Sequence, residues 1–293
     1  SGSGRSGRVV VHSPDHVIPG RMTLLGGRRW RSVVTVHDLA FMRLPETHLP
    51  ESRAYYSGIH VAVRDADVVI CPSQATAADL LDLTEAVRGR VWVIPEAPDP
   101  RYQPATLPQS SVTTGTRPYI LTVGSIEPRK NIKILVEAVA RIPAGRRPLV
   151  KIVGSKASGF TEIARLVASK KLDGDITFMG RMGTEEIVGL YQNALASTYL
   201  SLYEGFGLPV LESMASGCPV VASRVSSIPE VVGDAAVLVD PNDPDAVAEA
   251  LQRLMDDPLL REDLRTRGLA RAATFTWEAA ARQTIGAFTV ANA

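Results

Sequence analysis

From residue 117 onward the sequence alternates strand-like and helix-like segments with a regularity that few folds allow. Short apolar runs rich in β-branched residues recur six times: YILTVGS (119–125), LVKIVGS (149–155), ITFMG (176–180), STYLSL (197–202), PVVAS (219–223) and AAVLVD (235–240). Buried strands that form continuous apolar runs and alternate with helices are typical of a parallel sheet covered on both faces. The second half of the chain is therefore predicted to be an α/β domain that binds ligands beyond the carboxyl ends of its strands.

Helix boundaries in this half carry recognisable capping residues. The intervening segments predict helices over 131–142, 160–172, 184–195 and 209–216. Ser227 and Glu230 have capping-box spacing ahead of another short helix. Asp243 can cap, and Pro244 can open, the helix after the last strand, and Thr276 can cap the closing helix.

The first part of the chain repeats this alternation less completely. Strand-like runs are VVVH (9–12), SVVTVHD (32–38), DVVICPS (67–73) and VWVIPE (91–96), and a helix is predicted from Ser73 to about Leu83. The stretch 98–118 is rich in Pro, Ser and Thr, which is the composition of an interdomain linker. A chain of 293 residues is also more typical of two domains than of one.

Charge and cysteine content exclude several function classes. With 32 basic and 31 acidic residues the formal net charge is +1, so nothing in the overall charge attracts nucleic acid. Cys71 and Cys218 both lie in apolar runs, which favours a reduced, cytoplasmic protein over one built on disulfides. The longest apolar runs fall short of the ~18 residues that a membrane span requires.

The stretch YEGFGLPVLE (203–212) predicts a loop that leads from a strand into a short helix. Gly205 and Gly207 leave backbone amides open to close approach, and a helix N-terminus favours an anion such as phosphate. Glu204 and Glu212 can only accept hydrogen bonds, so beside an anion site we expect them to bind hydroxyls. For either glutamate taken alone the simpler interpretation is preferred, namely that Glu204 is a solvated loop residue and that Glu212 complements the helix dipole.

A second anion-compatible loop lies in VGSIEPRKN (123–131), at the end of the first strand of this half. Arg129 and Lys130 stand at the predicted start of the next helix, where two cations and free amides can bind a phosphate. A solvated basic pair is the alternative. The dinucleotide fingerprint G-x-G-x-x-G is missing after this strand, which disfavours a dehydrogenase.

With these motifs in hand, the chain resembles glycosyltransferase family 4, a group of retaining enzymes with the GT-B fold. The resemblance runs from about residue 9 to the end, and it is carried by SLYEGFGLPVLESMASGCPVVAS, EPRKN, SSIPEVVGDAAVLVDP and VTVHDLAF. It implies an α/β protein of two Rossmann-like domains with parallel sheets, facing each other across a cleft. The expected divisions are a flexible start (1–7), a partial N-terminal domain on the acceptor side (8–104), a linker (105–117), a C-terminal nucleotide-sugar-binding domain (118–275) and a final helix that crosses back to the first domain (276–293).

The resemblance also implies roles for individual residues. Glu212 would accept the ribose hydroxyls of a nucleotide sugar, and Glu204 would contact the hydroxyls of its sugar. Lys130 and Arg129 would neutralise the diphosphate, assisted by the donor-binding loop Gly205, Phe206, Gly207 and Leu208. His37 would face the sugar from the first domain, so that the catalytic set implied is His37, Glu204 and Lys130.

Three departures from the family pattern bear on these roles. Ser125 occupies a place where many relatives have a second arginine, which weakens the expected phosphate clamp. Glu96 and Ala97 replace the usual Asn-Gly after the last strand of the first domain. The first strands and helices of that domain have no counterpart, so we expect a truncated form that transfers sugar poorly, with one sheet edge exposed and one apolar face uncovered.

The implied reaction moves a hexose of the mannose or glucose type from a nucleotide-diphosphate sugar to a glycan or lipid-linked acceptor, as in bacterial polysaccharide biosynthesis. A nucleotide-sugar-binding protein without transferase activity is the alternative from another class. No cofactor, metal or nucleic acid is expected. Asp65 and Asp67 have the Asp-x-Asp spacing of metal-dependent transferases, but they stand before a strand rather than after one.

Two interpretations stay open for the segment RMTLLGGRRWR (21–31), which mixes cations with leucine and tryptophan. One is a solvated loop between strands. The other is peripheral contact with an anionic membrane that carries a lipid-linked acceptor, which would place a cytoplasmic protein at the inner membrane face.

Overall fold

The computed structural model of the chain describes residues 9–15, 30–48, 50–51, 56–105 and 117–292. Their contacts define two compact units, one formed by residues up to Glu96 together with those from Thr276 onward, the other by residues 97–275. The predicted flexible start (1–7), most of the predicted linker (105–117) and nearly all of the basic segment 21–31 lie outside the described residues.

The first unit is built on a parallel sheet of four strands in the order β1-β2-β3-β4. Val33 of β2 pairs with Val68 of β3, and Ile70 of β3 with Trp92 of β4. The strands are β1 (Val10–Ser13), β2 (Arg31–Thr35), β3 (Val68–Cys71) and β4 (Val91–Val93), and the helices between them include α1 (Ala40–Arg43), α2 (Ile59–Asp65) and α3 (Gln74–Leu83).

Both faces of the described part of this sheet are covered. On one face, Val34 and Val69 pack with Leu80 of α3 in a buried cluster. On the other, Val33 and Val68 pack against the last helix, α11 (Trp277–Asn292), whose small residues let it approach the strands closely. The expectation of an uncovered apolar face is therefore wrong for these strands, because α11 supplies the cover.

The second unit contains a parallel sheet of six strands in the order β10-β9-β8-β5-β6-β7. The predicted α/β class is confirmed, and each of the six apolar runs contains one strand or, for 197–202, overlaps one. The strands are β5 (Tyr119–Val123), β6 (Leu149–Val153), β7 (Ile176–Gly180), β8 (Ala196–Tyr199), β9 (Val220–Ser223) and β10 (Val237–Val239). The helices are α4 (Ile132–Arg141), α5 (Phe160–Ser169), α6 (Thr184–Asn193), α7 (Leu208–Ala215), α8 (Ile228–Val232), α9 (Pro244–Asp256) and α10 (Pro258–Ala272).

Capping predictions had different outcomes across the two units. The Asp243 carboxylate accepts from the backbone N–H groups of Asp245 and Ala246 and so caps α9 as predicted. Thr276 Oγ1 likewise accepts from the Ala279 N–H at 3.1 Å. Ser227 makes no side-chain cap for α8, so the predicted capping box is wrong there. Its hydroxyl bonds to a different loop, as described below.

Backbone hydrogen bonds join the loops at the carboxyl ends of β5 and β6. The Gly124 N–H donates to the Val153 carbonyl at 2.9 Å, and the Ile126 N–H to the Ser155 carbonyl at 2.9 Å. Gly154 lies between them with φ +155°, and a Cβ at that position would stand 1.9 Å from the Gly124 carbonyl oxygen. Only glycine fits this close approach of the two loops.

Substituting Gly154 by alanine is expected to destabilise the fold by about 3 kcal/mol, because a backbone segment must move to admit the methyl group. Chemical denaturation followed by circular dichroism measures the change. Gly145→Ala is the matched control, since a Cβ there meets no atom within 4 Å. Equal stability of the two variants would contradict the close approach.

Candidate functional site

A buried carboxylate between two cations occupies the carboxyl edge of the second sheet. Glu204, in the loop after β8, is only 7% exposed. Its Oε1 accepts from Lys130 Nζ at 2.7 Å and its Oε2 from Arg129 Nη1 at 2.9 Å. The structure thus brings together three of the residues that the sequence assigned to sugar and phosphate binding.

A short 3₁₀ turn positions the two cations. The turn spans Pro128–Lys130 and ends at Asn131, which takes the left-handed conformation with φ 54°. The Asn131 side chain donates to the Leu200 carbonyl at 3.1 Å, and the Leu202 N–H donates to the Arg129 carbonyl at 2.9 Å. These bonds tie the turn to the loop after β8. The sequence predicted Arg129 and Lys130 at the start of the next helix, whereas they lie in this turn, just before α4.

The cations have further partners within the same cluster. Arg129 also donates to the Tyr203 carbonyl at 3.0 Å and to Glu127 at 3.1 Å, and Lys130 Nζ donates to the Tyr199 hydroxyl at 3.0 Å. Burial acts to raise the pKa of Glu204, but the charges of Lys130 and Arg129 outweigh it and the pKa is lowered. Glu204 is therefore a carboxylate that holds both cations in the ligand-free protein.

Two serines from another loop shape the segment between Glu204 and α7. Ser226 Oγ accepts from the Glu204 N–H at 2.9 Å, and Ser227 Oγ lies 2.9 Å from the Glu204 carbonyl and 2.8 Å from the Phe206 carbonyl. Gly207 has φ +109°, and a Cβ there would lie 2.6 Å from the Ile228 side chain. The predicted donor-binding loop, Gly205 to Leu208, thus leads into the N-terminus of α7 through hydrogen-bonded backbone and a position that suits only glycine.

Glu212 belongs to a different cluster, within α7. Its carboxylate is bonded by the hydroxyl of Tyr102, from the stretch after β4 that the sequence marked as linker-like. Burial raises the pKa of Glu212 to about 7, the Tyr102 hydrogen bond lowers it, and nearby Asp99 raises it. Sequence reasoning found Glu212 but missed Tyr102, Ser226 and Ser227, because their contacts are made with residues far away in the chain.

His37 lies in the first unit, just after β2. Its Nδ1 faces Glu96 Oε1 at 3.1 Å and its Nε2 faces the Pro14 carbonyl at 2.9 Å. Because both partners are acceptors, both ring nitrogens must donate, and the pKa of His37 is raised, chiefly by the Glu96 hydrogen bond. In this arrangement both ring nitrogens of His37 are engaged, so the imidazole is not a free general base.

A polar cavity of about 340 Å³ opens beside His37. Asp38 and Tyr56 are among its described lining residues, together with Asp15 and Pro14 after β1. It lies at the carboxyl ends of β1 and β2, where a parallel sheet presents its loops to a ligand. Carboxylate and hydroxyl groups of this kind suit the hydroxyls of a carbohydrate.

The described residues also bear on metal binding and membrane insertion. Across them, His, Cys, Asp and Glu side chains nowhere gather in threes suited to a metal ion. Asp67 stands before β3, as predicted, and accepts from Arg31 at 2.7 Å. Every helix within the described ranges is too short or too polar for a membrane span.

Family models match almost the whole chain. The model described as "Glycosyl transferases group 1" matches residues 105–271, which include Arg129, Lys130, Glu204 and Glu212. The model described as "Glycosyltransferase Family 4" matches residues 8–102, which include His37 and Tyr102.

Individual relatives cover different shares of their own lengths. O-antigen chain mannosyltransferase B of Escherichia coli is 35% identical over 289 residues, which is 95% of this chain and 74% of the relative. Serotype-specific mannosyltransferase WbdA of Escherichia coli is 29% identical over 272 residues, or 89% of this chain, yet this chain spans only 33% of that protein.

Solved structures share the fold. Sucrose-phosphate synthase from Thermosynechococcus elongatus is similar with a TM-score of 0.75 and 30% identity, over 88% of this chain and 67% of that one. A glycosyltransferase from Rickettsia africae has a TM-score of 0.77 at 18% identity, over 97% of this chain and 76% of that one, which is a likeness of fold alone.

Replacing Glu204 by glutamine is expected to destabilise the protein by about 3 kcal/mol, because it leaves two mostly buried cations without their shared counter-ion. Glu127 remains beside Arg129, so the loss should stay at the lower end of the range for broken buried pairs. Urea denaturation measures it.

Glu185→Gln is the matched control for this substitution. Glu185 makes a long ion pair of 3.8 Å with Arg101, and both side chains are more than half exposed. Exposed pairs contribute about 0–1 kcal/mol. A Glu204→Gln loss no larger than the Glu185→Gln loss would show that the buried cluster contributes nothing to stability.

Proposed function

The chain belongs to the group 1 glycosyltransferases, within glycosyltransferase family 4, and on that premise we propose that it transfers a mannose from a nucleotide-diphosphate sugar to a glycan acceptor. The α/β, GT-B fold class expected from the sequence agrees with the structural likenesses. Mannose is proposed because both relatives described above carry the name mannosyltransferase. The observation that carries the donor site is the Glu204 carboxylate held between Lys130 and Arg129.

The donor diphosphate would compete with Glu204 for these cations. A diphosphate offers more acceptor oxygens and more charge than one carboxylate, and the start of α7 offers backbone amides beside it. We propose that the diphosphate takes over part of the hydrogen bonding of Lys130 and Arg129. Glu204 is then released to accept hydroxyls of the donor sugar, which gives one residue a role before and after binding.

The same cations would serve the chemical step. As the bond between sugar and diphosphate breaks, negative charge grows on the leaving nucleoside diphosphate. That charge would be stabilised where it develops by Lys130, Arg129 and the α7 amides. These groups are held in place before binding by the hydrogen bonds of Asn131 and Ser226. We propose a metal-independent reaction with retention of anomeric configuration, in which the diphosphate helps to deprotonate the acceptor hydroxyl on the same face.

Glu212 and His37 complete the proposed assignments. Glu212 would accept the two ribose hydroxyls, since an ionised carboxylate has an acceptor oxygen for each. His37 would contact the transferred sugar only by exchanging one of its two present acceptors, Glu96 or the Pro14 carbonyl, for a sugar hydroxyl. The polar cavity beside His37 would bind the acceptor, a glycan or its lipid-linked form, and the protein would then work on the cytoplasmic side of the membrane that holds such acceptors.

Calorimetric titration with uridine, guanosine and adenosine diphosphate sugars tests the donor site. One nucleotide is expected to bind saturably in the presence of EDTA. Lys130→Ala should weaken that binding by at least about tenfold, because a hydrogen bond to a charged group contributes about 1.5–3 kcal/mol. Lys133→Ala, an exposed lysine on α4, is the matched control and should bind like the wild type.

Transfer is assayed separately, with the nucleotide sugar that binds and mannose-terminated glycans as acceptors. A glycan product that keeps the anomeric configuration of the donor is expected. Equal binding by the Lys130 and Lys133 variants would contradict the donor site. Tight binding without product on any acceptor would favour the alternative of a nucleotide-sugar-binding protein.

A further inference from the structure

The stretch after β4 is fastened along the second unit by contacts with α6 and α7. The Gln192 side chain of α6 donates to the Gln103 carbonyl at 2.8 Å, and the Tyr102 N–H donates to the Asp99 carbonyl at 2.9 Å. The Tyr102 ring meets the Tyr191 ring edge-on, with 6.1 Å between centroids. Tyr102 is therefore held by its backbone neighbours and by its ring, independently of its hydroxyl group.

The Tyr102 hydroxyl points at the Glu212 carboxylate. The two side chains are hydrogen-bonded, and burial first, then the charge of Glu212, raises the pKa of Tyr102. The phenol thus keeps its proton and is the donor of this bond, while Glu212 is the acceptor. A tyrosine donor leaves acceptor capacity on the carboxylate, since each carboxylate oxygen can accept more than one hydrogen bond.

Resting on the proposed role of Glu212 toward ribose, we propose that Tyr102 is a positioning residue of the nucleotide site. Its hydroxyl holds the Glu212 carboxylate in one orientation and in its charged form, so that the remaining acceptor positions are ready for the ribose hydroxyls. The segment 97–103 is then part of the donor site and not only a connection between domains.

The charged and titratable groups around Glu212 bring its pKa close to neutral pH, where the hydrogen bond from Tyr102 affects its charge. Burial raises the pKa of Glu212 to about 7, and Asp99 adds to the increase, while Tyr102 opposes it. Arg101 is paired with Asp99 at 2.6 Å, and Tyr191 faces Glu212 from α6. On α10, Gly268 packs against Met214 and Arg265 reaches the Gly217 carbonyl at 3.4 Å, near the end of α7.

The consequence is a pH dependence of nucleotide binding. Ribose hydroxyls donate best to an ionised carboxylate, so affinity should rise as the pH rises through about 7. Without the Tyr102 hydroxyl, the charged form loses a hydrogen bond and the midpoint should move up by about one pH unit. At neutral pH this corresponds to roughly fivefold weaker binding, and the difference should vanish well above the midpoint.

The test combines two measurements on Tyr102→Phe, which keeps the ring against Tyr191. The first follows the Glu212 side-chain carboxyl by ¹³C NMR against pH in the ligand-free chain, with Glu212→Gln for assignment. The second measures binding of the nucleotide sugar by calorimetry from about pH 5.5 to about pH 8.5, where the diphosphate of a sugar nucleotide keeps a constant charge. Tyr119→Phe is the control, since it removes a hydroxyl that donates to the Leu190 carbonyl in the same unit.

The inference predicts that Tyr102→Phe moves both the Glu212 titration and the binding midpoint upward together, while Tyr119→Phe moves neither. An unchanged Glu212 titration in Tyr102→Phe would overturn it, even if nucleotide binding is intact. The proposed function fails in a different way, through a Glu212→Gln variant that binds nucleotide sugar like the wild type at every pH. That result would overturn the inference through its premise, whatever the titration shows.

Discussion

The site depends on one buried ionic cluster, in which Glu204 accepts from both Lys130 and Arg129. An ionised carboxylate that is 7% exposed is costly unless it is paired and hydrogen-bonded. The cluster meets that requirement with cations from a turn more than 70 residues earlier in the chain. Two loops that end neighbouring strands, β5 and β8, are thereby fixed to each other, and the anion-binding groups are positioned before any ligand arrives.

Several residues around this cluster have unusual backbone conformations. Asn131 and Ser226 take left-handed conformations with φ 54° and 49°, which non-glycine residues adopt at a cost. Both offset it with side-chain hydrogen bonds to the loop around Glu204. Gly154 and Gly207 permit close approaches that a Cβ would block. Among the described residues the third non-glycine with positive φ, Lys171, lies before β7, whereas Asn131 and Ser226 lie at the carboxyl edge of the sheet, which is where a parallel sheet binds its ligands.

The fold class and the strand positions were predictable because a doubly covered parallel sheet imposes a simple pattern. Each buried strand must be largely apolar, and the runs around Val150 and Val221 are, although the first includes Lys151. Asp243 was predictable as a cap because capping is a local interaction between a side chain and the next turn. The family resemblance implied that the last helix returns to the first domain, but not that it packs on Val33 and Val68, since no local pattern specifies which distant face a helix will bury.

The sequence singled out the residues of the candidate site but not the contacts between them. The motifs of the family drew attention to Glu204, Lys130 and Glu212. They gave no reason to expect that Glu204 would pair with Lys130 and Arg129, the two cations expected to bind a phosphate. Ser227 was assigned to a helix cap because the spacing fits, whereas its single O–H is shared between the Glu204 and Phe206 carbonyls. Tyr102 was hidden in a stretch whose Pro-rich composition suggests only a linker.

The central claim is that a nucleotide-diphosphate sugar displaces Glu204 from its cations and occupies the carboxyl edge of the second sheet. A crystal structure of the chain with a bound nucleotide sugar tests it most directly. The account predicts diphosphate oxygens on Lys130, Arg129 and the α7 amides, ribose hydroxyls on Glu212, and Glu204 turned toward the sugar. A nucleotide bound elsewhere, with the Glu204 contacts to Lys130 and Arg129 unchanged, would contradict it.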